Sequence, residues 1–133
     1  MAPFAIPVRV YWEDTDAGGV VYYANYLRFM ERARSDWLRS LGIDQVRLLR
    51  EERRQFVVVE AKIHYRRAAR LDEMLSVSVR LDEMRSASIV MSQEIRRGSG
   101  DGELLVSAVI RAACIDSDSL RPRQLPAALA ALA

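Results

Sequence analysis

The change of hydrophobic period along this chain constrains its fold more than any other feature. Over residues 24–41 the apolar side chains recur every three to four positions, as they do on one face of a helix. Over residues 55–114 they alternate with polar residues instead, which is typical of strands with one buried face. The apolar helical positions are Leu27, Met30, Ala33, Trp37, Leu38 and Leu41. The pattern predicts one long amphipathic helix followed by four long strands.

Turn residues mark the ends of these elements. Gly42 follows the helix and can adopt the left-handed conformation that ends helices, with Ile43 folding back onto the last turn. Residues 98–102, with three glycines, predict a hairpin turn. Residues 46–49 predict a short helical turn, and residues 125–133 predict a helix or a tail.

In the first of the four strands, the alternation assigns one face to Val57, Val59, Ala61, Ile63 and Tyr65.

The order of these elements predicts the fold class. Strands are expected at residues 7–12, 55–65, 75–81, 87–95 and 104–114. Consecutive strands with short connections pair antiparallel, and the apolar face of such a sheet must be covered. We therefore expect an α+β fold in which a five-stranded antiparallel sheet wraps around one long central helix. One helix cannot shield every strand end, so dimerisation through a sheet edge or through the exposed end of the helix is also expected.

Length and composition exclude several classes of protein. The 133 residues suffice for a single domain, residues 1–133, and the net charge of +2 with no dense basic run argues against a nucleic-acid partner. No apolar run is long enough for membrane insertion, and the start of the chain is too short for a signal peptide. Cys114 is the only cysteine and lies in an apolar alternating segment, which predicts a buried thiol and a cytoplasmic protein.

The single histidine limits the chemistry that the chain can perform. His64 lies in a predicted strand on the more polar face, so an exposed or interface position is favoured over a catalytic one. Serine and cysteine triads require a histidine, and a zinc site requires more histidine or cysteine than the chain contains. Catalysis in this chain would therefore depend on carboxylates, tyrosines and backbone dipoles.

The segment Asp-Thr-Asp-Ala-Gly-Gly directly before the long helix carries the strongest functional signal. The spacing does not fit a calcium loop, because Gly18 and Asn25 would stand at ligand positions. It does not fit a phosphatase aspartate pair either, because no βαβ series follows. Asp14 is interpreted mainly as a turn-former. Asp16 can be a turn-former or a catalytic carboxylate beside the positive end of the helix.

The chain resembles the hotdog-fold acyl-CoA thioesterases, and the tol-pal-associated thioesterases related to 4-hydroxybenzoyl-CoA thioesterase most closely. The resemblance rests on residues 8–26, VRVYWEDTDAGGVVYYANY, followed by Phe-Met-Glu-Arg-Ala-Arg at 29–34. It continues through residues 56–59, 65–74 and 120–126. The resemblance implies a sheet around a central helix, in agreement with the fold expected from the hydrophobic periods.

The resemblance also implies roles for particular residues. The family's catalytic aspartate falls on Asp16, and the backbone N–H that polarises the thioester carbonyl falls on Tyr23. Many tol-pal-associated members have histidine at the position of Tyr23, whereas the 4-hydroxybenzoyl-CoA type has tyrosine. The positions implied in substrate binding are Gly19, Val20, Tyr22, Arg85 and Arg121, the two arginines as coenzyme A contacts. Asp16 can act as nucleophile, through a mixed anhydride, or as general base on water.

The remaining implications concern substrate and partners. The expected substrate is an acyl-CoA, with no metal and no cofactor besides the coenzyme A of the substrate. A homodimer or homotetramer with sites at the subunit boundary is expected, as is association with an envelope complex or acyl carrier protein. Two alternatives remain open: hydration or dehydration of an acyl thioester, and a non-catalytic acyl-thioester-binding or scaffold protein.

Overall fold

The computed structural model describes residues 3–132, so that Met1, Ala2 and Ala133 lie outside the described residues. Its strands are β1 Phe4–Arg9, β2 Arg54–Tyr65, β3 Met74–Met84, β4 Ser88–Arg97 and β5 Leu104–Asp116. Its α-helices are α1 Asn25–Ser40, α2 Gln45–Glu52 and α3 Ala127–Ala130. The strands form one antiparallel sheet in the order β1-β3-β4-β5-β2. The expected α+β architecture, with five antiparallel strands and one long helix, is confirmed.

Helix α1 packs its apolar face against the sheet. Phe29, Met30 and Ala33 are completely buried, and Tyr26 is nearly so. The periodicity placed Leu27 on this face, but its side chain is 41% exposed. The aromatic residues Tyr26 and Phe29 occupy the core positions of the first turns instead, and the sequence prediction missed them.

The end of α1 follows the predicted glycine termination. Gly42 has φ +84°, a left-handed conformation that glycine adopts without steric cost. The Ile43 N–H donates to the carbonyl of Leu38 at 3.0 Å, and the Ile43 side chain is buried. The short helical turn predicted next is a complete helix, α2, because the Asp44 side chain accepts the N–H groups of Val46 and Arg47.

The first strand lies earlier in the chain than predicted. It ends at Arg9, and a 3₁₀ turn at Trp12–Asp14 replaces the expected end of the strand. The cause is the Asp14 side chain, whose Oδ2 accepts the N–H of Tyr11 at 2.8 Å. This local bond draws the backbone out of the extended conformation. Val8 and Val10, which alternate with exposed Arg9 and Tyr11, are both buried.

Strands β2 and β3 are consecutive in sequence but do not pair, so the expectation that consecutive strands are neighbours is wrong here. Strand β2 forms one edge of the sheet beside β5, whereas β3 pairs with β1 and β4. The connection crosses the end of the sheet: the N–H groups of Arg66 and Arg67 donate to the Leu105 carbonyl. Further along, the Ala69 carbonyl accepts the N–H of Val21.

A β-bulge in β2 corrects the predicted face of this strand. The register with β5 shifts between Val58 and Glu60, so Val59 is an extra residue. The alternation is therefore reversed before the bulge, since one added residue exchanges the two faces. Phe56 stands opposite buried Cys114 and packs on the core. The prediction that Val57 and Val59 share a face with Ile63 is therefore wrong.

Two expectations from composition concern the core and membranes. Cys114 is a buried free cysteine, and its burial raises the pKa of the thiol. A buried, hard-to-ionise thiol is a packing residue, as predicted. Within residues 3–132, none of the helices has both the length and the apolar character needed to cross a membrane.

Candidate active site

Asp16 lies in a tight turn that ends just before α1. The Asp16 N–H donates to the Val20 carbonyl at 2.9 Å, and the Gly19 N–H donates to the Asp16 carbonyl at 3.1 Å. The Gly18 N–H donates to Oδ1 of Asp16 at 2.8 Å. Gly19 has φ +78°, which explains why glycine stands there. The turn holds the carboxylate of Asp16 by one oxygen and leaves the side chain exposed to solvent.

Backbone hydrogen bonds fix this turn to residues 69–71, which precede β3. Val20 forms a β-bridge with Arg70, and the Val21 N–H donates to the Ala69 carbonyl at 2.9 Å. The Leu71 N–H donates to the Gly19 carbonyl at 3.3 Å. Asp16, Gly19 and Val20 are thereby held in a fixed position relative to the sheet.

Asp14 has the structural role predicted for it. Its side chain is buried and accepts the Tyr11 N–H, and its carbonyl accepts two further donors. These donors are the Tyr22 N–H at 2.9 Å and the Asn25 Nδ2 at 2.9 Å. Asn25 is itself buried and joins the start of α1 to the turn. Sequence reasoning missed this role of Asn25, because its polar side chain at a helix start has no partner that the sequence reveals.

The start of α1 presents free backbone N–H groups close to the Asp16 turn. The Tyr22 carbonyl accepts the Asn25 N–H at 2.8 Å, which closes a turn with Tyr23 and Ala24 at its centre. No side chain caps the helix at Ala24. Among residues 3–132, neither the Tyr23 N–H nor the Ala24 N–H has an acceptor. These donors, at the positive end of the helix dipole, can bind a carbonyl oxygen.

Tyrosine side chains form a wall beside these N–H groups. The Tyr23 ring lies 4.9 Å from that of Tyr22 and contacts Tyr65 edge-to-face at 6.0 Å, measured between centroids. Tyr65 in turn packs on Tyr26 at 5.8 Å. Burial raises the pKa of both Tyr26 and Tyr65, so both are neutral phenols at neutral pH. A cleft of about 240 Å³, lined by Val21 and by the rings of Tyr23, Tyr26 and Tyr65, opens here.

Tyr26 connects the helix to the segment that carries the Asp16 turn. Its hydroxyl oxygen accepts the Ala69 N–H at 2.9 Å in a buried position. We predict that Tyr26→Phe lowers the free energy of unfolding by about 1–3 kcal/mol, because it leaves a buried N–H without a partner. Urea denaturation measures this change. Tyr23→Phe is the matched control because its ring is exposed, and an equal loss in the control would contradict the prediction.

The structure separates the two predicted arginines from the Asp16 turn. Arg85 follows β3, whose first residue lies near that turn, so its 11 residues place Arg85 roughly 30 Å away. Arg121 lies at the same far end, because the Leu125 N–H donates to the Ser86 carbonyl. Both side chains are exposed, and Nε of Arg85 donates to Glu83 at 2.8 Å. One chain therefore brings together Asp16, Gly19, Val20, Tyr22 and Tyr23, but not Arg85 and Arg121.

His64 lies outside this constellation. It is exposed on β2 and points to the opposite face of the sheet from its neighbour Tyr65, which contacts the helix. Within the described part of the chain, no three His, Cys, Asp or Glu side chains lie close enough together to hold a metal ion. The groups available at the site are a carboxylate, phenols and backbone N–H donors.

Comparison with known proteins identifies the family. Residues 10–132 match the model of the thioesterase-like superfamily. The chain is 43% identical over 123 residues to the acyl-CoA thioesterase YbgC of Haemophilus influenzae, covering 92% of this chain and 88% of that protein. It is 43% identical over 128 residues to the acyl-CoA thioester hydrolase YbgC of Escherichia coli O6:H1, covering 96% and 93%.

A solved structure agrees with this match. The probable thioesterase from Bartonella henselae superposes with a TM-score of 0.87 at 37% identity, covering 94% of this chain and all of that one. The fold is thus that of the thioesterases. The chain belongs to the thioesterase-like superfamily, and the hotdog fold, the family and the enzyme class expected from the sequence motifs are confirmed.

Proposed function

We propose that the protein hydrolyses acyl-CoA thioesters at the site formed by Asp16 and the start of α1. One observation carries the proposal: an exposed carboxylate and the free N–H of Tyr23 lie on backbone segments that hydrogen bonds hold together. The Tyr23 N–H would donate a hydrogen bond to the thioester oxygen as negative charge develops there, and such a fixed donor stabilises the transition state. Asp16 would attack the carbonyl carbon and expel the coenzyme A thiolate, which leaves a mixed anhydride for water to cleave, or it would deprotonate a water molecule that attacks the carbon and expels the same thiolate.

Acyl-CoA is the substrate proposed because two relatives at 43% identity are named as acyl-CoA thioesterases. The reaction requires no cofactor besides the coenzyme A that the substrate carries. A panel of short, long and aromatic acyl-CoAs, assayed for release of the free thiol, tests the proposal. Hydration of an enoyl-CoA, or binding of a non-hydrolysable acyl-CoA without turnover of any panel member, would favour the alternatives instead.

We further propose a dimer in which the β2 strands of two copies pair. Strand β2 is a sheet edge of 12 residues whose Val58 and Val59 are 49% and 55% exposed. A two-fold axis pairs identical strands antiparallel. Pairing centred on Ala61 would place Glu60 opposite Lys62 of the partner subunit, which are opposite charges. A tetramer would join two such dimers.

This dimer would also bring the predicted arginines to the site. Antiparallel pairing sets the end of one β2 beside the beginning of the other, so the far end of one sheet approaches the Asp16 end of its partner. Arg85 and Arg121 lie at that far end. They are therefore proposed to contact the coenzyme A phosphates of the partner's substrate, which guanidinium groups bind well.

A charge at the β2 edge should separate the dimer. We predict that Val59→Arg shifts the mass in solution to that of a monomer and reduces activity at least tenfold, because it buries a charge in the interface. Light scattering and turnover over a dilution series measure both effects. Val46→Arg is the control, since Val46 is equally exposed but lies on α2. A fully active monomer would refute the shared site.

Location is proposed from the composition, and the protein partners are proposed from the family resemblance. We place the protein in the cytoplasm, where acyl-CoA is available as a substrate. We further propose that it neither inserts into membranes nor binds nucleic acid. Association with an envelope complex or with acyl carrier protein would be tested by co-purification from cells at native expression levels. Failure to recover either partner would leave the enzyme as a free oligomer.

A further inference from the structure

A second cavity lies between α1 and the sheet, on the side of β2. It measures about 140 Å³ and is separate from the tyrosine cleft. Much of its wall is apolar, from Trp37, Leu38, Phe56, Ile89 and Met91, and the polar lining residues are Glu31, Arg34, Ser35 and Gln45. An apolar cavity of about 150 Å³ accommodates a benzene ring, so this one takes roughly six non-hydrogen atoms.

The cavity contains one cation, the guanidinium of Arg34. Its Nη1 donates to Oε1 of Gln93 at 2.9 Å. Gln93 is 1% exposed and its amide is fully engaged, donating to the carbonyls of Met30 at 3.0 Å and Ser78 at 3.2 Å. Gln93 therefore fixes the guanidinium in one position on the cavity wall.

The guanidinium of Arg34 forms no salt bridge in the described residues, although the nearby charge of Glu31 favours its charged form. No Asp or Glu oxygen of residues 3–132 lies within 4.0 Å of its nitrogens. Glu31 lines the same cavity, but its Oε1 accepts the Ser35 hydroxyl at 2.6 Å. Burial lowers the pKa of Arg34, as expected for a cation removed from water. A guanidinium has five N–H donors, so most remain available to a ligand.

The proposed dimer places this cavity beside a catalytic site. Phe56, Val57 and Val58 of the cavity lie in the first half of β2, whereas Tyr65 of the tyrosine cleft ends it. Antiparallel pairing of the two strands brings the first half of one beside Tyr65 of the partner subunit. The Arg34 cavity of one chain therefore adjoins the site of the other.

We infer that the Arg34 cavity binds the distal end of the acyl group, and that Arg34 selects acyl groups ending in a carboxylate. The substrates favoured are the mono-CoA thioesters of dicarboxylic acids of about six carbons. A planar guanidinium pairs with a carboxylate through two parallel hydrogen bonds, while the apolar walls cover the methylenes. The inference rests on the proposed thioesterase function and on the dimer.

The first test compares adipoyl-CoA with hexanoyl-CoA, which differ by the terminal carboxylate. Wild-type protein should show at least about a tenfold higher kcat/KM for adipoyl-CoA, since a charge-assisted pair contributes that much. Arg34→Met should abolish this preference, because kcat/KM for adipoyl-CoA falls at least about tenfold relative to that for hexanoyl-CoA, and Arg34→Lys should restore part of it. Equal wild-type rates on the two substrates, or an equal loss on both in Arg34→Met, would overturn the inference.

Inhibition of the wild-type enzyme provides a second measurement in case Arg34→Met does not fold. Adipate should inhibit hexanoyl-CoA hydrolysis competitively at concentrations at least about tenfold lower than hexanoate does. Equal inhibition by the two acids would count against a carboxylate site. Failure of the thioesterase function itself looks different, because hexanoyl-CoA would then not be hydrolysed at all.

Mixed dimers test whether the cavity serves the partner's site. In a mixture of Asp16→Asn and Arg34→Met subunits, a mixed dimer has one site with Asp16 from one chain and Arg34 from the other. Adipoyl-CoA activity should then rise to about a quarter of the wild-type value, since random pairing makes half of the dimers mixed. No gain over the separate variants would contradict the placement of the cavity.

Discussion

Asp16→Asn is expected to reduce turnover of acyl-CoA by roughly 10³-fold or more while the protein remains folded. Asparagine matches aspartate in shape, and its carbonyl oxygen can still accept the Gly18 N–H. The side chain is exposed, so the change should hardly affect the free energy of unfolding. The amide can neither attack the thioester nor take a proton from water. Steady-state kinetics and a thermal melt measure the two quantities.

Glu13→Gln provides the matched control, because Glu13 is an exposed carboxylate three residues before Asp16. It should keep wild-type turnover. Full activity in Asp16→Asn would refute the assignment of the site. Hydrolysis in heavy-oxygen water tests the nucleophilic role of Asp16, because label in its carboxylate after a single turnover supports a mixed anhydride that water attacks at the aspartyl carbon.

Tyr23→Pro is expected to lower kcat about 10²- to 10³-fold, which is the cost of one lost oxyanion donor. Proline lacks a backbone N–H and therefore removes the proposed donor itself. Tyr23 is the second residue of the turn closed by the Asn25 N–H and the Tyr22 carbonyl, a position where proline is favoured. The start of α1 should thus persist, and circular dichroism with steady-state kinetics would show both results.

Tyr23→Ala separates the backbone from the ring. Alanine removes the contacts with Tyr22 and Tyr65 but keeps the N–H, so it should retain most of kcat. Equal losses in the two variants would assign the effect to the tyrosine ring. Wild-type kcat in Tyr23→Pro would show that another group stabilises the oxyanion.

The features predicted correctly from the sequence are those that depend on contacts between residues close together in the chain. The helix ends where Gly42 permits the left-handed turn, and Asp14 forms a turn with residues three positions away. The segment containing Asp16 was recognised because its turn, its glycines and the helix start are contiguous. Each of these features depends on neighbours in the chain, which a sequence displays directly.

The features missed depend on distant partners. The bulge at Val59 arises from pairing with β5, some fifty residues later in the chain, and it exchanged the predicted faces of Phe56 and Val57. Strand β2 lies at the edge because the chain crosses the end of the sheet after it. The rule that consecutive strands with short connections are neighbours does not predict such a crossing. For the same reason, the sequence could not show that Arg85 lies far from Asp16 within one chain.

The main-chain attachment of the Asp16 turn has an evolutionary consequence. The contacts that hold the turn to residues 69–71 join N–H and carbonyl groups, which nearly every amino acid supplies. Side chains such as those of Val20 and Arg70 can therefore change without moving the carboxylate. Variation in these side chains would alter the surface that meets a substrate while the reacting group keeps its place. Such a scaffold can acquire new acyl preferences by single substitutions and retain its chemistry throughout.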